Sequence, residues 1–169
     1  VDLDGKNFYY QNQLDTREPR YDWHVCPCCV GNIPRTLLML PTWTYARTAD
    51  AIYVNLFIGS TCTVPDIAGT DVELVQETDY PWSGVVKLTL QPKVAKEFSV
   101  RIRIPTRQVS DLYTATPEVD GFKSITVNGD AITPPIEQGY AIISRRWQAG
   151  DTIEWELPMA IQWVKGSPK

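Results

Sequence analysis

Three cysteines fall within four positions, Cys26-Pro27-Cys28-Cys29, and Val30-Gly31-Asn32-Ile33-Pro34-Arg35 follows at once. A thiolate is both a nucleophile and a soft metal ligand, and a thiol at a helix N-terminus is drawn toward that form by the unsatisfied N–H groups there. Three chemistries suit this spacing. The thiols can ligate zinc or another soft metal, with His24 as a neighbouring donor. A structural zinc site takes four ligands, commonly as two separated pairs. No second pair follows here, so at least one ligand would come from elsewhere. Cys26 and Cys29 also have the C-x-x-C spacing of a redox pair, but no parallel βαβ pattern surrounds them. The third reading is a cluster of reduced, partly buried thiols. A disulfide framework is not expected. Bridging adjacent Cys28 and Cys29 would strain the peptide between them, and a chain of 169 residues can stand on its own core. Cys62, after an apolar strand, reads as a core residue.

Other catalytic arrangements have less support. His24 is the one histidine, and it reads as an orienting or packing residue. No serine sits in a nucleophile elbow, nothing points to a Ser-His-Asp triad, and no two carboxylates are marked as acid and base. Glu77-Thr78-Asp79-Tyr80-Pro81-Trp82-Ser83-Gly84 is the other dense stretch. It reads either as a turn between strands with an aromatic plug or as a rim that contacts sugar.

The elements that must hold these residues change character near residue 47. Phe8 to Leu14 looks like a strand. Asn32 is placed to cap a helix, and Pro34 falls in its first turn, where a missing N–H costs nothing. Ile33, Leu37, Leu40 and Thr44 share one helical face with Leu38 beside it, which predicts a helix over about 33–46 that Pro41 kinks or interrupts. An amphipathic helix needs a partner for its apolar face: the body of the chain, another chain, or a helical domain beyond this sequence. After Arg47 the periodicity is that of strands. Ala51–Ile58, Val72–Thr78, Val85–Leu90, Phe98–Ile104, Ile125–Val127, Tyr140–Ser144 and Thr152–Leu157 are rich in β-formers or alternate apolar and polar. In Phe98–Ile104 the polar face carries Arg101 and Arg103. Asn128-Gly129 marks a hairpin and Gly150-Asp151 another turn. About eight short strands at this spacing predict a mainly β fold, an antiparallel β-sandwich or jelly roll preceded by one helix.

A net charge of -4 with no Lys/Arg run argues against a nucleic-acid surface, and no apolar run is long enough to span a bilayer. The opening Val1-Asp2-Leu3-Asp4-Gly5-Lys6 suggests a piece of a longer chain, so the compartment stays open, bacterial cytoplasm and periplasm or exterior alike.

The run Trp23-His24-Val25-Cys26-Pro27-Cys28-Cys29-Val30-Gly31-Asn32-Ile33-Pro34-Arg35 resembles the signature of the β-L-arabinofuranosidase-type glycoside hydrolases. The likeness continues through Ala51–Ser60, Glu77–Gly84, Val127-Asn128-Gly129, Gly139-Tyr140, Arg146-Trp147 and Ala149-Gly150-Asp151, and so spans nearly the whole chain. The resemblance implies an (α/α)6 barrel followed by β-sandwich domains. Residues 1–47 would be the tail of the catalytic barrel and residues 48–169 a sandwich. It further implies a retaining hydrolysis of arabinofuranosides or related plant glycans, with Cys28 as nucleophile and Cys28 and Cys29 as ligands of Zn2+. The other ligands, a Glu and a Cys, and the acid/base Glu would lie upstream. Cys26 matches no position of that ligand set, and its role stays open. As a fragment the chain is expected to be inactive, to miss its barrel, and to self-associate through the bared helix face. Two other readings remain. One is a non-catalytic carbohydrate-binding or interdomain sandwich that displays Trp82, Trp147 and Trp155. The other is a metal- or redox-responsive interaction protein.

Overall fold

The computed structural model describes residues 4, 6, 25, 26, 28–105, 113–116 and 120–166. The strand expected at Phe8–Leu14, and His24, lie outside them. The chain forms two compact units, residues 1–43 and 44–169. The described helix, α1 (Asn32–Thr44), begins in the first unit and runs through Pro41 without a break. Pro41 removes one helical N–H, which shortens the ladder by a bond but does not end it. Ile33, Leu37, Leu38, Met39 and Trp43 on this helix are exposed. No described helix is long and apolar enough to cross a membrane.

The second unit is the expected sandwich. Its strands are β1 (Tyr45–Arg47), β2 (Ala51–Val54), β3 (Ser60–Ile67), β4 (Thr70–Thr78), β5 (Val85–Pro92), β6 (Lys96–Arg103), β7 (Tyr113–Thr116), β8 (Ser124–Val127), β9 (Asp130–Ala131), β10 (Ile136–Glu137), β11 (Tyr140–Trp147), β12 (Asp151–Glu156) and β13 (Trp163–Gly166). One sheet has the order β1-β2-β6-β11-β10 and the other β3-β4-β5-β12-β8-β9, while β13 and β7 form a separate ribbon. All described pairings are antiparallel except β2 with β6, which is parallel with Ala51 opposite Ser99.

Period-two alternation decides which side chains fill the space between the sheets. Val72 and Leu74 of β4, Val86, Leu88 and Leu90 of β5, and Ile153 and Trp155 of β12 point inward from one sheet. Ile52 and Val54 of β2 and Phe98, Val100 and Ile102 of β6 meet them from the other. Arg101 lies on the opposite face of β6, with its guanidinium 5.4 Å from the Tyr53 ring centroid. Cys62 is only partly buried, packed at the edge of this core.

Two of the three tryptophans read as displayed are core residues. Trp147 and Trp155 are 0% and 1% exposed. Trp147 donates its indole N–H to the Phe98 carbonyl at 2.9 Å and takes the Arg145 guanidinium over its ring at 5.3 Å. Trp155 packs against Phe57 and Phe122, with centroids 5.3 and 6.4 Å away. Both sit on the inward phase of their strands, which the alternation dictates. Trp82 is 91% exposed, on the turn between β4 and β5.

That turn is tightly anchored. The Gly84 carbonyl accepts the Leu157 N–H at 2.8 Å. A Cβ on Gly84 would lie 2.1 Å from the Leu157 carbonyl oxygen, so only glycine fits there. The strand expected over Ala51–Ile58 stops at Val54. Beyond it the Asn55 N–H turns to the Thr44 carbonyl at 2.9 Å. The buried Gln76 amide donates to the Leu56 and Ile58 carbonyls at 3.2 and 2.8 Å, satisfying groups that have no ladder partner. The predicted Asn-Gly hairpin joins β8 to β9 with Asn128 and Gly129 at φ 54° and 86°, the mirror-turn backbone that matches strand twist. The Asn128 side chain also donates to Asp151 at 2.9 Å and accepts the Thr152 N–H at 2.8 Å, fastening the turn to β12.

Candidate active site

The cysteines precede α1 as the spacing predicts. Residues 28–31 form a turn that leads into the helix: the Asn32 N–H donates to the Cys29 carbonyl at 3.1 Å, Ile33 to Val30 at 3.2 Å and Arg35 to Gly31 at 3.3 Å. The first helical turn carries no acidic side chain. The partial positive charge of its N–H groups is therefore not neutralised from within the helix. Asn32 does not act as the expected cap. Its side-chain oxygen accepts the Arg35 guanidinium, one helical turn on, and the first turn is closed by main-chain bonds. The i, i+3 spacing of Asn32 and Arg35 was the signal for that pairing.

Cys26, Cys28 and Cys29 are all unbridged and exposed. The Cys28 and Cys29 sulfurs are 3.9 Å apart. Hydrogen bonding with Cys26, then with Cys29, followed by repulsion between the ionised sulfurs, pushes the Cys28 thiol above its ordinary value. Cys26 is thus the largest single influence on Cys28. A bare thiol cluster opposes the thiolate that the helix start favours, because ionising one sulfur gives up a shared proton and crowds negative charge.

Two sulfurs on one tetrahedral zinc, each about 2.3 Å from the metal, stand roughly 3.8 Å apart. The Cys28–Cys29 separation fits that spacing, and the donors are of the right softness. Among the described residues no group of three His, Cys, Asp or Glu side chains converges on a metal position. Two such donors are fewer than the four that a structural zinc site takes.

The second sequence candidate, Glu77–Gly84, supplies the end of β4 and the turn into β5. Thr78 organises it: its hydroxyl donates to the Val85 carbonyl at 2.8 Å and accepts the Tyr80 N–H at 3.0 Å. The Tyr80 ring stands edge-on to Phe57 with centroids 6.0 Å apart.

Comparison with known proteins fits both units. Residues 51–159 match the family model of the β-L-arabinofuranosidase GH127 middle domain. The chain is 29% identical, over its whole length, to a non-reducing end β-L-arabinofuranosidase of Bifidobacterium longum subsp. longum, of which it covers 26%. Among solved structures, a GH127 β-L-arabinofuranosidase from Geobacillus stearothermophilus T6 superposes on 94% of the chain with a TM-score of 0.74 at 35% identity, and 25% of that protein is covered. A second GH127 β-arabinofuranosidase superposes on 99% of the chain with a TM-score of 0.85 at 31% identity, covering 27% of that protein. The chain thus spans about a quarter of the length of these relatives. It belongs to the GH127 β-L-arabinofuranosidase family, and its sandwich is that family's middle domain.

Proposed function

We propose that this chain is the part of a retaining glycoside hydrolase that carries the nucleophile, Cys28, and that the full-length protein cleaves β-L-arabinofuranosides or related plant glycans. The observation that carries this reading is the pair of adjacent sulfurs, 3.9 Å apart at the start of a helix, in a chain of this family. Retention calls for a covalent intermediate. The Cys28 thiolate attacks the anomeric carbon, and a C–S bond forms as the glycosidic C–O bond breaks. The leaving oxygen takes its proton from an acid, expected to be a Glu upstream of this chain. Water deprotonated by the same group then breaks the C–S bond, freeing the sugar and the thiolate.

The turn favours the thiolate through the N–H groups of α1, while its own sulfurs disfavour it through mutual hydrogen bonding and repulsion. A zinc ion held by Cys28 and Cys29, together with a Glu and a Cys outside this chain, would supply the charge that keeps these sulfurs ionised at neutral pH. Arg35 keeps Asn32 engaged and so steadies the turn. The exposed apolar side chains of α1 support placing this helix in a larger helical domain.

Incubating the full-length protein with an arabinofuranose-like electrophile tests the reading. The label should be found on Cys28 by peptide mass analysis, and a Cys28→Ser variant should take none. Labelling of a different side chain in the wild type would sink the assignment.

A further inference from the structure

At one end of the sandwich, segments remote in sequence enclose a groove of about 710 Å³. That volume lies within the range of small-molecule sites. Its walls include Asn55 and Phe57 from the segment after β2, Tyr80 from the β4–β5 turn, Arg103 at the end of β6, and Gln138 and Tyr140 from the β10–β11 hairpin. The aromatic walls are braced. Tyr80 is held edge-on to Phe57, and Tyr140 edge-on to Tyr53 with centroids 5.3 Å apart. Tyr80 nevertheless keeps 41% of its surface exposed.

The polar groups are arranged to donate. The Tyr140 hydroxyl donates to the Asn55 side-chain oxygen at 2.8 Å, which orients that amide and leaves its NH2 free to donate. The Arg103 guanidinium and the Gln138 amide have no hydrogen-bond or ion-pair partner among the described residues. Among the described residues no carboxylate lines the groove. Gln138 holds a left-handed backbone at φ 52°, a conformation that glycine or asparagine adopts at less cost. The corresponding turn position in the β8–β9 hairpin is Asn128, at φ 54°.

The lining selects among ligand classes. A phosphorylated ligand would call for more cationic charge than one arginine. A purely apolar ligand would strip water from Arg103, Gln138 and Asn55 and return no hydrogen bonds. A sugar ring meets both requirements: its C–H face lies on an aromatic ring, and its hydroxyl oxygens accept from amide and guanidinium N–H groups, two at a time where the fork geometry allows. We propose that this groove is a carbohydrate-binding subsite, its described walls all sandwich residues, that holds a sugar unit of a glycan chain. The choice of an arabinose-containing glycan rests on the proposed function above.

Affinity electrophoresis of the full-length protein through gels containing soluble arabinan tests it. The wild type should be retarded. Arg103→Ala and Gln138→Gly should each raise the apparent Kd at least about fivefold with an unchanged melting temperature. Gln138→Gly removes the amide while suiting the backbone. Tyr80→Ala should weaken retardation most, although its contact with Phe57 makes it the less secure variant. Retardation that survives both Arg103→Ala and Gln138→Gly overturns the proposal. So does a melting temperature that falls in step with retardation, because the groove would then be filled by another part of the full-length chain. Cys28→Ala separates the two readings: it should keep the wild-type retardation, and its turnover bears on the nucleophile alone.

Discussion

The cysteine turn with its helix and the sandwich differ in the range of the contacts that hold them. Along 28–43 each described main-chain bond closes within about one helical turn, and Leu37, Leu38 and Trp43 stay exposed. In the sandwich the bonds are long-range: Tyr140 reaches Asn55, Trp147 reaches Phe98, and Gln76 reaches Leu56 and Ile58. The family match spans 51–159, which is sandwich and no cysteine of the 26–29 cluster. The family-model match thus rests on the scaffold, whereas the proposed bond-breaking chemistry sits on a short turn held by local bonds.

Four substitutions test that separation. Cys28→Ala in the full-length protein should lower kcat by at least about a thousandfold, the scale seen when a covalent nucleophile is lost, and leave the melting temperature in place. Near-wild-type turnover would break the comparison outright. Trp155→Ala should do the reverse. Emptying a site that is 1% exposed and packed by Phe57 and Phe122 should cost about 3–5 kcal/mol in denaturant unfolding, and any protein still folded should turn over substrate normally. Gly84→Ala should cost roughly 1–3 kcal/mol, because its Cβ meets the Leu157 carbonyl oxygen and the turn must move. A crystal structure of that variant with the turn unmoved would contradict this.

The smallest effect belongs to the surface pair of Lys93 and Asp71, 2.8 Å apart. The hydrogen bond from Lys93 and that from the Asp66 N–H hold the Asp71 carboxyl below its ordinary value. A carboxyl depressed in the folded state stabilises above its unfolded pKa, and this stabilisation fades as the pH falls through the folded value. Asp71→Asn should therefore lower the urea midpoint slightly near neutrality and match the wild type in acid. A gap that persists in acid would show that the substitution acts through packing and not through charge.

The sandwich was readable wherever one face is buried. β4, β5, β6 and β12 alternate, so their inward residues and even the outward placement of Arg101 follow from the pattern. β3 escaped because Ser60-Thr61-Cys62-Thr63-Val64-Pro65 lacks clean alternation. It is an edge strand, which explains how it accommodates a proline. The end of β2 at Val54 escaped as well, since Asn55 alone interrupts the β-forming run Ala51–Ile58 and the breaking groups, Gln76 and Tyr140, lie far along the chain. At the cysteine turn the residue types and the helix start were legible. The hold of Cys26 on Cys28 was not, because it depends on side-chain placement, and the Asn32–Arg35 contact had only its i, i+3 spacing as a signal. The groove was invisible for the same reason: none of its segments is unusual alone.

The parallel pairing of β2 with β6 bears on biosynthesis. The partner of Ala51 is Ser99, roughly fifty residues later. At elongation rates of about 5–20 residues per second, the β1–β2 hairpin leaves the ribosome several seconds before its neighbour exists. For that interval Ile52 and Val54 have no strand to pair with on that side, which leaves this hairpin in need of chaperone cover on the nascent chain.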